Sequence, residues 1–443
     1  MQPFLSFLLK NKTLNYPQFR KYLLQRFAII MSLNMQMTIV SYMVYQLTHD
    51  ELSLGLLGLW EVIPAFGFSL LSGPYVDHRE KRTLLLRCYI GYLLLSAFYV
   101  MLAFPSFQQT AGTTVTVWLI YAGVFINGML RAFLSPSNFA LMGLIVPKRL
   151  YANATTWSST AWQFGAVMGP LLGGMLLATT GFAWSLSSIL AIQAVGMVAV
   201  FMIPKLPVMM KDKEPIMQSL KSGLQFVFNK QVILAALSLD MFAVLFGGAV
   251  ALLPVYADDI LKAGEAGYGW LRAAPGIGAI ICLLILSFIP LKTKAGAKLL
   301  WSIALFGLTT IIFGVCGEIA GLEPIGWLSA FFGFNISWAF ILAFSMLLLG
   351  GLVDSVSVII RGTILQLYTP DHMRGRVASV NTMFISSSNE LGALESGFTA
   401  KWMGTVPAVV FGGIMTLVVV GVTYFKAPLL RTMKLDPNEK DKT

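Results

Sequence analysis

The chain has 443 residues, of which 57% are hydrophobic and only 12% charged, and it carries a formal net charge of +11. A soluble globular domain carries about 25% charged residues, so a fold built for water is excluded. The apolar stretches run continuously instead of alternating with polar residues, which excludes a transmembrane β-barrel as well.

The chain begins "MQPFLSFLLKNKTLNYPQFRKYLLQRF". Its apolar run is short, no small-residue cleavage site follows, and basic residues lie within it and after it. It reads as a cytoplasmic amphipathic lead-in. Apolar runs then follow, each of the ~20 residues that cross a hydrocarbon core as a helix. They lie at 22–47, 53–76, 83–104, 115–146, 151–178 and 183–203, then at 231–257, 266–290, 296–317, 338–368, 376–403 and 407–425. This predicts an N-terminal six-helix bundle over 1–203, a polar cytoplasmic linker over 204–230, and a C-terminal bundle with a short tail over 231–443. The stretch "GLEPIGWLSAFFGFNIS" at 321–337 is apolar but short, and it would upset the parity if it crossed. It reads as an outer loop or interfacial segment.

Lys and Arg mark the inside. One side receives the cations around Lys10 and Arg20, those of the 79–82 loop, Lys148, Arg149, the linker lysines, Lys292, Lys294, Lys298, Arg374, Arg376 and the tail. The other side receives only Lys262, Arg272 and Lys401. Both termini and the linker are therefore expected in the cytoplasm, and the positive charge is a topology signal that leaves no nucleic-acid partner to invoke. Cys88, Cys282 and Cys316 have no metal or redox spacing, and His49, His78 and His372 all fall in predicted loops. No metal site or cofactor is expected. "GAVMGPLLGG" at 165–174 lacks the Lys and Ser/Thr of a nucleotide cradle, and no nucleophile elbow or kinase set occurs. The chain is thus not expected to be an enzyme, and an ion gradient is the expected source of energy.

Two motifs and four longer stretches carry a resemblance. "GPYVDHREKR" (73–82) resembles the signature loop after the second helix of the major facilitator superfamily, with Gly73, Asp77, Lys81 and Arg82 at matching positions and His78 and Glu80 departing from the usual residues. Such charges suit a latch on the cytoplasmic face, although they also serve topology alone. Gly165, Gly169, Pro170, Gly173 and Gly174 resemble the GxxxGPxxGG pattern of that superfamily's exporters and antiporters. Small residues four apart let helices approach closely, and tight packing alone is the plainer reading. Together with 128–154, 239–261, 351–381 and 386–397, the chain is similar to the enterobactin-exporter branch of the superfamily. That resemblance implies an all-α fold of twelve transmembrane helices in two six-helix bundles with pseudo-two-fold symmetry. It also implies a monomer in a bacterial inner membrane whose partners are lipid, protons and a small-molecule substrate. The implied activity is proton-coupled efflux by alternating access. Siderophore export is the leading expectation, multidrug or macrolide efflux the alternative, and a non-transporting sensor or assembly protein the alternative of another class.

Ionisable residues inside a span are costly and usually face a cavity or a partner. Asp354, Ser357 and Arg361 share one face of the tenth span by their i, i+3, i+7 spacing. Asp240 lies at a similar depth in the seventh span, so a pair between Asp240 and Arg361 is expected, structural or functional. Arg131 sits mid-way along the fourth span with no acid on its own helix, and its planar fork suits carboxylates, catecholates or phosphates. It is expected to contact substrate, to pair with a coupling carboxylate, or to tie two helices. In "MFISSSNELGALESGF" (383–398), Glu390 lies about 20 Å along the eleventh span. Glu395 is turned from it by about 140°. Glu61 in "GLWEVIPAF" is the counterpart in the second span. Proton-coupling candidates are therefore Glu390, Asp354, Asp240, Glu61 and Glu395, with gate hydrogen bonding the rival role for Glu390 and Glu61. Substrate-binding candidates are Arg131, Arg361, Asn34, Asn138 and Gln163.

Overall fold

A computed structural model describes residues 13–206, 216–288, 295–370 and 373–433. The long apolar runs become helices because a backbone in lipid must satisfy its own hydrogen bonds. In chain order these are α1 (Pro17–Thr48), α2 (Glu51–Asp77), α3 (Lys81–Ala103) and α4 (Thr113–Ile145). A single helical run, Tyr151–Phe201, then breaks at Gly181, whose φ of 73° and ψ of 177° suit only a residue without Cβ. The break divides the run into α5 (151–180) and α6 (182–201). Next come α7 (Gln231–Phe246), α8 (Gly264–Phe288), α9 (Ala295–Gly314), α10 (Trp338–Tyr368), α11 (Arg374–Met403) and α12 (Thr405–Lys426).

Ten of the described helices are apolar and long enough to cross a membrane, the Tyr151–Phe201 run counting once. The missing helix is α11, whose 30 residues hold two glutamates, asparagines and serines. Dividing the long run and adding α11 yields twelve crossing helices in two halves. The seventh expected span, 231–257, differs in form. Regular α-helix ends at Phe246, and tighter and wider turns carry the chain from Ala249 to Ile260. Gly247 and Gly248 interrupt it, and glycine costs a helix interior about 1 kcal/mol relative to alanine.

The chain forms two compact units, one of Met1–Thr48 with Trp60–Asp212, the other of His49–Leu59 with Lys213–Thr443. In the first unit α1 lies along α5, and the glycine motif makes this possible. A Cβ on Gly169 would stand 2.6 Å from the Met31 carbonyl oxygen, and Gly165 and Gly173 meet Met31 and Met35 on the same α1 face. Pro170 and Gly174 are buried beside them. Polar groups enclosed in this unit bond to one another, as buried groups must. Gln25 donates to Asn138 Oδ1 at 2.7 Å, and Tyr89 donates to the Gln25 carbonyl at 2.9 Å. Ser96 lies 2.6 Å from Gln36 Oε1 and 3.0 Å from Gln193 Oε1.

In the second unit α8 crosses α10 at two glycine contacts. A Cβ on Gly278 would fall 2.0 Å from the Leu348 carbonyl oxygen, and one on Gly351 would fall 2.1 Å from that of Pro275. The linker carries a helix, Ile216–Asn229, that packs on α11, where Arg376 reaches Ser222 Oγ at 3.2 Å. Residues 321–337 hold a seven-residue helix, Gly326–Phe332, which at about 1.5 Å per residue is far too short to cross.

Candidate functional site

The first cluster grows from a helix crossing. Gly128 of α4 lies against the Glu61 carbonyl of α2, so close that a Cβ there would stand 2.3 Å from the oxygen and 2.8 Å from Pro64 Cγ. Asn127 and Arg131, four residues apart on one face of α4, are thereby brought to the Glu61 carboxylate. Arg131 Nη1 lies 2.7 Å from Glu61 Oε1, and Asn127 Nδ2 donates to the same oxygen at 3.2 Å. The two partners differ in access: the Glu61 side chain is 7% exposed and that of Arg131 is 50% exposed. The carboxylate is thus held inside while half of the Arg131 side chain stays accessible.

Beside this pair, Leu33, Gln36, Met37, Val40, Tyr99, Val124 and Asn127 line a small cleft between α1, α3 and α4. Buried polar atoms of this unit with no hydrogen-bond partner among the described residues include Asn127 Oδ1, Tyr92 Oη and Gln193 Nε2. Orphaned groups of this kind mark places where water or ligand completes the bonding. Trp60 stacks on Tyr121 at 6.3 Å and meets Trp118 and Phe125 edge-on, so an aromatic group adjoins the pair.

The second cluster is an ion pair between Asp240 of α7 and Arg361 of α10. Both are almost wholly enclosed, among Ile233, Ala236, Leu237, Ala243, Ile360 and Ile364. Asp354, two turns earlier on α10, is not drawn to Arg361. It follows Gly351 on the face that crosses α8 and has no ion pair among the described residues. Ser357, between them, is fully buried.

The third cluster follows α11. The start of α2 packs against it: Cβ atoms on Gly55 and Gly58 would stand 2.9 Å from the Ala393 carbonyl oxygen and 2.7 Å from that of Glu390. The next face of α11 meets the break in α7, where a Cβ on Gly392 would come 2.9 Å from the Val244 and Leu245 carbonyls. Glu390 therefore sits at a helix crossing, and Glu395 lies partly buried one and a half turns on. Asn389 returns its amide to the Ile385 carbonyl at 2.9 Å. Beyond the crossing, Asp50 Oδ1 meets Lys401 Nζ at 2.9 Å, and Asp50 Oδ2 caps α2 by accepting from the Ser53 amide at 2.9 Å. Burial opposes the charge of Asp50, but the bonds from Lys401 and Ser53 outweigh it and hold the carboxyl below its ordinary value.

The remaining predicted residues are dispersed. Asn138 is 1% exposed and occupied by Gln25, and Asn34 donates to the Ile30 carbonyl of its own helix at 2.9 Å. Gln163 is partly buried on α5. In the signature loop Gly73 and the side chain of Asp77 lie outside the described part of the structure. Lys81 closes the end of α2 by donating to the Val76 carbonyl at 2.6 Å, and Arg82 reaches the Phe201 carbonyl at 2.7 Å. Glu80, one of the departures from the family pattern, caps α3 through the Thr83 amide at 2.7 Å and also accepts from Leu206 at 3.3 Å. Asn127 and the Asp50–Lys401 pair were not singled out in the sequence. The i, i+4 spacing of Asn127 with Arg131, and the aspartate just ahead of an apolar run, were the available signals.

The Major Facilitator Superfamily profile matches residues 22–348. The chain is 25% identical to the enterobactin exporter EntS of Escherichia coli strain K12 over 433 aligned positions, covering 93% of this chain and 94% of that protein. It is 26% identical to EntS of E. coli O139:H28 strain E24377A, covering 91% and 90%. Its fold matches that of a bacterial homologue of the iron transporter ferroportin in an inward-facing state, with a TM-score of 0.67, 15% identity, and coverage of 92% of this chain and 98% of that one. A D-xylose–proton symporter matches with a TM-score of 0.67 and 12% identity, covering 95% and 98%.

Proposed function

This chain belongs to the major facilitator superfamily and is a membrane transporter of small molecules, and from that premise we propose that it is a proton-coupled exporter whose coupling pair is Glu61 and Arg131. The observation that carries this reading is the asymmetric exposure of that pair, a shielded carboxylate gripped by an arginine whose side chain is half exposed. An ionised carboxylate only accepts hydrogen bonds, whereas protonation turns one of its oxygens into a donor. A substrate hydroxyl that donates to Glu61 therefore competes with a proton for the same oxygen. Competition of this kind makes antiport: proton entry expels the substrate, and substrate binding expels the proton. Arg131 supplies further donors to an acceptor oxygen on the same molecule.

Catechol and hydroxamate groups carry such donor and acceptor oxygens side by side. That chemistry, together with the named activity of the EntS relatives, favours a siderophore as cargo and a bacterial inner membrane with cytoplasmic termini as the setting. Glu390 is assigned to the crossing of α2 and α11 as a gate group, because its carbonyl lies at the point of closest approach to Gly58. Asp240 and Arg361 are assigned a structural role by their enclosure. Asp354 and Glu395 stand as further proton sites reached during the cycle. The halves are taken to rock about the midplane, opening alternately to each side.

The test uses Glu61→Gln in liposomes. A coupling residue so altered loses uphill transport and keeps substrate exchange, whereas Glu390→Gln, as a gate variant, slows every mode. Loss of exchange in Glu61→Gln would place Glu61 in the packing and remove the proposal. A response to macrolides alone would transfer the same mechanism to the drug-pump reading.

A further inference from the structure

Between α9 and α10 the chain forms a closed loop with two unlike faces. Hydrogen bonds join its arms: the Ile325 amide to the Ile336 carbonyl at 2.7 Å, the Ile336 amide to Ser329 Oγ at 2.9 Å, and the Ala339 amide to the Gly321 carbonyl at 3.1 Å. Inside this frame the helix Gly326–Phe332 ends at Gly333 in the left-handed conformation. One face is seated on the protein. Phe332 meets Trp270 of α8 edge-on at 5.6 Å, Phe334 meets Phe340 at 5.3 Å, and Asn335 bonds the Lys262 carbonyl at 3.3 Å. The other face is bare. Trp327 and Phe331, one turn apart, are 75% and 79% exposed, and Ile319 and Trp338, at the two ends of the loop, are 61% and 64% exposed.

We infer that this loop is an aromatic anchor whose bare face lies in the boundary region of the lipid bilayer, at the membrane surface opposite the linker. Three features commit it to lipid. The loop is continuous at both ends with helices that cross the membrane, so Trp338 is already the first residue of a span. Tryptophan favours this boundary, where its apolar ring meets polar headgroups, and phenylalanine belongs to the apolar face of helices that lie in it. The segment 315–338 contains Glu318 and Glu323 and no Lys or Arg, so the attraction is apolar and needs no anionic lipid. Seated on α8 and joined to α10, such an anchor fixes the depth and rotation of the helix that carries Asp354 and Arg361.

The full-length protein is reconstituted in phosphatidylcholine vesicles after labelling Phe331→Cys, Trp327→Cys or Glu323→Cys with an environment-sensitive fluorophore. The three native cysteines are buried and leave the new thiol as the accessible one. Labels at 331 and 327 are expected to emit at shorter wavelength than the label at 323, to be quenched by brominated phospholipid and to be spared by aqueous iodide. Quenching by iodide and not by brominated lipid at 331 and 327 would overturn the proposal. So would protection from both quenchers, which means a protein surface covers the loop. A requirement for anionic lipid would overturn its apolar basis.

Discussion

Arg131 grips Glu61 across a crossing of α2 and α4 that is close because residue 128 is glycine. A larger residue at 128 would part the helices and separate the charges, so backbone packing and the chemistry of the pair are one feature. The same crossing brings Asn127 to the carboxylate, leaving Glu61 with two donors on one oxygen.

Arg131→Ala leaves that carboxylate the Asn127 amide as its donor among the described residues. A hydrogen bond to a charged group is worth about 1.5–3 kcal/mol, so transport should fall by roughly 10- to 100-fold. Arg131→Lys restores a charge but not the planar fork, and should recover only part of the rate. Initial uptake rates into inverted vesicles measure both variants, and an unimpaired Arg131→Ala would remove the arginine from the transport cycle.

Gly169→Ala places a methyl group 2.6 Å from the Met31 carbonyl oxygen and 2.8 Å from Asn34 Cβ. Overpacking of this sort costs about 1–3 kcal/mol, read as a lowered Tm in detergent. Gly67→Ala is the control, since nothing lies within 4 Å of that position in α2, and by helix propensity it should leave Tm no lower than wild type.

Breaking an enclosed ion pair strands a charge. Asp240→Asn or Arg361→Leu should each destabilise the protein by about 3–5 kcal/mol, while an apolar replacement of both partners restores most of the stability. Thermal unfolding of the purified variants reads the stability, and uptake into vesicles reads the transport. Recovery of transport in the double variant makes the pair structural, and continued loss assigns it a part in the cycle.

The Asp50–Lys401 contact sets a sign for pH. Because the folded-state carboxyl of Asp50 is held low, its contribution is present above the ordinary carboxylate range and is lost as pH falls through the lowered folded value. Protection of a cysteine placed at Thr405 should therefore stay constant from about pH 5 to 8 and fall only in stronger acid. In Asp50→Asn the cysteine should be equally accessible throughout. A transition near neutrality in the wild type would contradict this assignment.

Much of the architecture is legible in the sequence because lipid leaves the backbone few choices. Continuous apolar runs predict the spans, and matching depth in two antiparallel helices anticipates that Asp240 and Arg361 meet. The Glu61–Arg131 contact was less accessible. Both residues stand out as charges in spans, but the residue that joins them is Gly128, and a glycine in a membrane helix does not say which neighbour it admits. The polar run in α11 shows the opposite difficulty. Its glutamates suggest proton chemistry, whereas Ala393, Gly392 and Gly397, mute in composition, place them at a crossing with α2 and α7. Helix breaks fare in between: Gly181 falls in the gap between two predicted spans, while the interruption at Gly247–Gly248 lies inside one.

The most direct measurement is proton movement in liposomes containing purified protein and an internal pH-sensitive dye, with iron-free siderophores added under an imposed proton gradient. Wild-type protein should move protons on addition of substrate, and Glu61→Gln should abolish that signal while still exchanging labelled substrate across the membrane. Substrate-dependent proton movement that survives unchanged in Glu61→Gln would contradict the account, because the proton would then travel by a path that does not include the carboxylate Arg131 holds.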